Sequence, residues 1–173
     1  MYVVRLEQPQ DIPKIREVNE RAFGQEQEAS IVDKLRENCD STLSLVALAE
    51  NEVVGHVLFS PAVIESDNGG LVGSGLAPLG VLPEYQRQGI GLELVQAGVE
   101  RIRESGCPYI IVMGHPEYYT RFGFETASMF GIISEWEVPD EAFMILMLNK
   151  RVMKGISGVA RYRQEWDEAM EGA

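Results

Sequence analysis

The chain has 173 residues, 45% of them apolar and 24% charged, with a formal net charge of −12. That is enough chain for one soluble globular domain with a sizeable core, and no apolar run in it approaches a membrane span. The acidity argues against general nucleic-acid binding, where Lys and Arg must neutralise phosphates; it favours the approach of cationic small molecules, or serves solubility alone.

The opening MYVVRLEQPQD has no basic region followed by an apolar stretch, so no export signal is expected. Tyr2 to Leu6 reads as a short strand ended by Pro9. Ile12, Ile15, Val18, Ala22 and Phe23 recur at helical spacing, with Gly24 as the stop. A second helix follows, with Ala29, Ile31, Val32 and Leu35 inward and Glu26, Glu28, Asp33, Lys34 and Glu37 solvated. Thr42 to Ala49 and Val53 to Ile64 are β-branched apolar runs joined by Glu50-Asn51-Glu52, a hairpin pattern. Ser66-Asp67-Asn68-Gly69-Gly70 is a strong turn signal.

Leu71 to Val81 predicts a further strand, made irregular where Pro78 removes a backbone donor. From Gly91, the residues Leu94, Val95, Gly98, Val99 and Ile102 mark one helical face, stopped by Gly106-Cys107-Pro108. Tyr109 to Met113 reads as a buried strand, Pro116 to Phe122 as a short helix and Phe143 to Leu148 as another strand. Cys39 and Cys107 are far apart and lack CxxC spacing, which predicts neither a disulfide scaffold nor a zinc site and makes a reducing cytoplasm the default. The expectation is a single mixed α+β domain over residues 1–173 around one sheet. Met129, Met144, Met147 and Met153 read as core filler, and Trp136 and Trp166 as packing anchors or acceptor-pocket walls.

The stretch Gln86-Arg87-Gln88-Gly89-Ile90-Gly91 sits between a strand and a helix. The first amides of a helix have no partner inside it, and its dipole is positive there. A phosphate group satisfies both, and Gly89 and Gly91 allow close approach. The stretch lacks the Lys-Ser/Thr of a Walker loop and the third glycine of a dinucleotide fingerprint. By itself it is equally a phosphate cradle or a tight turn.

The run Leu79-Gly80-Val81, Pro83-Glu84-Tyr85 and Gln86 to Gly91 closely resembles motif A of the GNAT acyltransferases, Gln/Arg-x-x-Gly-x-Gly/Ala, at the family's spacing from Val81. Downstream, Pro116 to Phe124 resembles motif B, which ends Tyr-x-x-x-Gly-Phe. Gly55 to Ser60, Leu82 to Tyr85, Gly114 to Tyr119 and Gly158 to Tyr162 are similar to the YhbS-type branch. The resemblance covers roughly residues 1–148, with motif A over about 71–105, motif B over about 108–126 and a C-terminal extension at 150–173. It implies a GNAT-like fold with a mixed, mostly antiparallel sheet splayed between its fourth and fifth strands.

It also implies the backbone of Leu79, Gly80 and Val81 as the holder of an acyl-CoA arm. The amides of Arg87, Gln88, Gly89, Ile90, Gly91 and Leu92 would take the pyrophosphate, with Gln86 organising the loop. Tyr119, four residues before Gly123, stands where the family places the acid that protonates the leaving thiolate, with Tyr118 as its packed neighbour. Arg121 is a cofactor contact or a surface base. Leu71 to Val81 lacks the acid that many members carry on the fourth strand. That leaves His56 as a possible base or a satisfied sheet histidine. His115 reads as positioning, and Ser74, Glu26 and Glu28 as weaker acceptor contacts.

The implied activity is acetyl transfer from acetyl-CoA to a primary amine of a small molecule or peptide, by direct attack in a ternary complex and without a metal. A non-catalytic acyl-CoA-binding or regulatory module is the alternative. No nucleic acid or membrane partner is expected, and a monomer or homodimer is.

Overall fold

A computed structural model of the chain describes residues 2–171. In order they form β1 (Val3–Leu6), α1 (Ile12–Phe23), α2 (Gln27–Asn38), β2 (Leu43–Ala49), β3 (Glu52–Ser66), β4 (Gly69–Val81) and α3 (Ile90–Glu104). There follow β5 (Tyr109–Met113), α4 (Pro116–Tyr119), β6 (Glu125–Thr126), β7 (Ile132–Ser134), β8 (Phe143–Met147), α5 (Lys150–Met153), β9 (Gly158–Arg161) and α6 (Asp167–Glu171). The chain forms two compact units, and β3 and β4 each contribute residues to both.

The first unit comprises Met1–Ser60, Ala77–Glu100 and Glu165–Ala173. Here β1 pairs antiparallel with β2 from Val3↔Leu48 to Leu6↔Leu45, and β2 pairs antiparallel with β3. The β2–β3 hairpin closes through Glu50 and Asn51, both with positive φ, as a two-residue type I′ turn requires. Its register shifts between Ala47 and Leu48. Helix α1 buries Ile15 and Val18 and stops at Gly24, whose left-handed backbone returns an N–H to the Glu20 carbonyl. Helix α3 lies so close to β3 that a Cβ on Gly98 would stand 2.1 Å from the Phe59 ring.

The second unit comprises Pro61–Leu76 and Arg101–Gln164. Hydrogen-bonded neighbours run β3, β4, β5, β8, β6, with β9 joined to β3 and β7 to β9. The β4–β5 pair is parallel over three residue pairs, Ser74↔Ile110 to Leu76↔Val112, and β7–β9 is also parallel. The pairs β5–β8, β6–β8 and β3–β9 are antiparallel. Buried Tyr109 lays its ring over Gly73 and donates its hydroxyl to the Leu71 carbonyl at 2.8 Å.

The expected mixed, mostly antiparallel α+β architecture is therefore present, with the element order read from the sequence. Three details differ. Glu28 is buried, because Gln25 Nε2 donates to both of its carboxylate oxygens at 2.5 and 3.0 Å. Met129, expected as core filler, is 70% exposed at the end of a single-turn 3-10 helix (Ala127–Phe130), whereas Met144 and Met153 are buried. The short elements β6, β7, α5, β9 and α6 had no counterpart in the sequence reading.

Candidate functional site

The first unit carries the loop that opens α3. In the second half of β4 Gly80 is buried and its neighbours Leu79 and Val81 are part-exposed, as strand alternation dictates. A Cβ on Gly80 would stand 2.9 Å from Asn19 Oδ1 and 3.3 Å from the Ala22 Cβ, so α1 backs this strand at a distance only glycine permits. The chain leaves β4 through a one-turn 3-10 helix, Pro83–Tyr85. Gln86 Nε2 then donates to the Val81 carbonyl at 2.9 Å, closing the loop onto the strand it left, in line with an organising role. Gln88 is held twice, by donating to the Glu84 carbonyl at 3.3 Å and by accepting from the Tyr2 hydroxyl. Arg21 braces Glu84 from α1 at 2.7 Å.

Within this frame Arg87 has φ +63° and Gly89 φ +88°. A non-glycine residue in the left-handed region stores strain that the surroundings must hold, and here the loop bonds hold it. The first amide returned into α3 is that of Glu93, to the Gly89 carbonyl at 3.1 Å. The amides of Arg87, Gln88, Gly89, Ile90, Gly91 and Leu92 find no acceptor among the described residues. No Cβ-sized obstacle lies within 4 Å of Gly89. A left-handed kink, an open glycine and a row of free amides at the start of a 15-residue helix together fit a pyrophosphate.

The second unit carries motif B. His115 precedes α4 and its backbone carbonyl accepts from Tyr118 and Tyr119. Tyr119 is 7% exposed. Its ring covers Gly114, where a Cβ would come within 2.4 Å, and meets Phe124 edge to face with centroids 5.7 Å apart. Burial holds its phenol far above the usual tyrosine range, so it stays protonated at neutral pH. Its hydroxyl makes no hydrogen bond among the described residues. Tyr118 faces another way, half-buried, with the Arg121 guanidinium 5.0 Å above its ring.

His56 lies in the first unit and is 0% exposed. Asn19 Nδ2 donates to its Nδ1 at 3.1 Å, which leaves the proton on Nε2, 2.9 Å from Ser44 Oγ. Ser44 in turn donates to Glu7 at 2.8 Å, and Arg36 grips the same carboxylate at 2.7 and 3.1 Å. Desolvation pushes the imidazole down to about 4, against the smaller pull of Glu7. The ring is a neutral link inside the sheet with both nitrogens occupied, a geometry that gives the possible base no acceptor to meet. Sequence reasoning missed Asn19, although a polar residue one turn after Ile15 on an apolar helix face was the available signal.

Ser74 is buried on β4, and His115 and Glu26 are exposed. Trp136 stacks on Tyr162 with centroids 5.7 Å apart. Burial raises the Cys107 thiol, which suits no nucleophile. No group of three or more His, Cys, Asp or Glu side chains that could hold a metal ion occurs among the described residues. No helix there is long and apolar enough to cross a membrane.

Residues 3–127 match the family model described as an acetyltransferase (GNAT) domain. The chain belongs to the GNAT acetyltransferase family. It is 34% identical over 166 residues to an uncharacterized N-acetyltransferase, YhbS, of Escherichia coli K12, covering 95% of this chain and 98% of that one. A crystal structure of Escherichia coli YhbS in complex with CoA superposes with a TM-score of 0.89 at 33% identity, over 96% of this chain and 92% of that one. A GNAT acetyltransferase from Brucella melitensis in complex with acetyl-CoA superposes with a TM-score of 0.78 at 32% identity, over 96% and 99%. The YhbS-type resemblance read from the sequence is thereby borne out, and with it the assignment to the acetyltransferase class of enzymes.

Proposed function

We propose that this GNAT enzyme transfers an acetyl group from acetyl-CoA to a primary amine of a small molecule or peptide, by direct attack in a ternary complex. The observation that carries the reading is the row of free amides from Arg87 to Leu92 at the start of α3. Its support is that two relatives above 30% identity have been crystallised with CoA or acetyl-CoA. Leu79, Gly80 and Val81 offer backbone to the donor arm, and Arg87 to Leu92 hold its pyrophosphate by N–H donation. Bound acetyl-CoA supplies the thioester. Tyr119 supplies the proton for the departing thiolate, a role for which a buried, protonated phenol with a free O–H is suited.

We give His56 a positioning role and no part in deprotonating the amine, because its ring is sealed and doubly hydrogen-bonded. The free thiols of Cys39 and Cys107 accord with a reducing, cytoplasmic setting. Both units serve a single catalytic domain in this reading.

The absence of an acid from Leu71 to Val81, together with the sealing of His56, favours one second reading, a non-catalytic acyl-CoA-binding module. One experiment separates them. Acetyl-CoA should raise the melting temperature, because a ligand bound only by the native state stabilises it. Free CoA should then be released in the presence of some member of a panel of amines, amino acids and peptides. Stabilisation without release on the whole panel would favour the binding module, and no stabilisation would remove both.

A further inference from the structure

Tyr162 lies outside the segment matched by the family model, at the residue after β9, and has no part in the reading above. Its ring occupies the space that a side chain at Gly75 would need: a Cβ there would stand 2.5 Å from the ring. Its hydroxyl is 3.1 Å from the Leu76 carbonyl oxygen and 3.2 Å from that of Ile111. Those oxygens belong to β4 and β5, and Leu76↔Val112 is the last pair of that ladder. Along an uninterrupted parallel ladder each inward carbonyl accepts an N–H from its neighbour. Here two carbonyls of adjacent strands share one phenolic hydrogen, the only one the side chain has.

The phenol is held from behind. The Tyr162 amide donates to Glu135 Oε2 at 3.0 Å, and Trp136 stacks on the ring with an interplanar angle of 20°. β9, which delivers Tyr162, is itself fixed between β3 and β7. Burial, with a smaller contribution from the Tyr119 phenol, disfavours ionisation of Tyr162, and burial does the same for Tyr119, so both phenols stay protonated.

We propose that Tyr162 is a positioning residue for the acyl donor, a wedge that ends the β4–β5 ladder at Leu76 and so sets the course of the β4 backbone into Ala77–Val81. The proposal rests on the acetyl-CoA reading. The wedge explains why residue 75 is glycine and why a tyrosine from the C-terminal segment, outside both donor motifs, turns its hydroxyl onto main-chain groups of β4 and β5.

The test is Tyr162→Phe, which keeps the ring over Gly75 and removes only the hydroxyl, with Trp136→Ala as a second variant that loosens the ring from behind. CoA affinity is measured by calorimetry, and KM for acetyl-CoA and kcat by CoA release. The expected result for Tyr162→Phe is about tenfold weaker CoA binding, or roughly 1.4 kcal/mol, with KM raised in proportion, kcat within about twofold and the melting temperature modestly lowered, because two buried carbonyls lose their donor. Trp136→Ala should shift the same constants in the same direction by a smaller factor. A fall in melting temperature with CoA affinity and KM intact in both variants would make Tyr162 a packing residue and overturn the wedge while leaving the donor reading in place. Failure of the unaltered protein to bind CoA would overturn both.

Discussion

Asn19 Nδ2 donates to His56 Nδ1 across 3.1 Å in a fully buried contact between α1 and β3. This bond makes the imidazole an acceptor on one side and a donor, to Ser44, on the other. The pair converts a titratable side chain into a neutral strut, with consequences for stability and for the part of β4 that α1 backs.

The first consequence is acid lability. Burial lowers His56 from 6.5 to about 4, so between these values the unfolded chain binds a proton that the folded chain refuses. Stability from this group is fully present above pH 6.5 and is lost as pH falls toward 4, a total on the order of 3 kcal/mol. His56→Gln, which can still accept from Asn19 and donate to Ser44, should flatten that part of the profile. Urea unfolding at pH 7, 5.5 and 4 checks this; equal slopes in the two proteins would contradict it.

The second concerns Gly80. A methyl there meets Asn19 Oδ1 at 2.9 Å, and Asn19 cannot swing away because its amide nitrogen is committed to the Ile15 carbonyl and to His56. Gly80→Ala should therefore destabilise by about 1–3 kcal/mol. Shortening the opposing side chain in the double variant Asn19→Ser/Gly80→Ala should recover part of that loss. Denaturant midpoints for both singles and the double measure the coupling.

Features whose cause is local were legible in the sequence. Gly24 ends α1 as read, Glu50-Asn51 turns the hairpin, and Gln86 closes its loop onto Val81. Features that depend on distant partners were not. The strands β7 and β9 are three and four residues long, defined by pairing with each other and with β3. Tyr119 was legible through its spacing to Gly123. The sealing of His56 was not, because its partners Asn19 and Ser44 stand 37 and 12 residues away.

At the loop, Gly89→Asp tests the cradle. The position has φ +88° and open space around it, so the free protein should fold, and the new carboxylate would face the pyrophosphate. CoA affinity should fall about tenfold or more, while Gly89→Asn, neutral and tolerant of the left-handed region, should lose less. The gap between the two should narrow as salt is raised, since an exposed charge is screened. Calorimetry at two ionic strengths reads both effects, and equal affinities for all three proteins would reject the assignment of the loop.

Tyr119→Phe separates acid catalysis from packing. The ring contacts with Gly114 and Phe124 survive the change, and the lost hydroxyl has no hydrogen-bond partner among the described residues to leave unsatisfied. Folding and CoA binding should therefore be nearly unaltered, with affinity within about threefold. Loss of a general acid typically removes 10²–10⁴ from the rate, so kcat should drop by about 100-fold or more, some 2.7 kcal/mol of barrier. The drop should be smallest for acyl donors whose leaving thiol is the most acidic, because these need the proton least. A Tyr118→Phe control should leave kcat within about twofold. If Tyr119→Phe weakens CoA binding as much as it slows turnover, the phenol holds the donor and is not its acid.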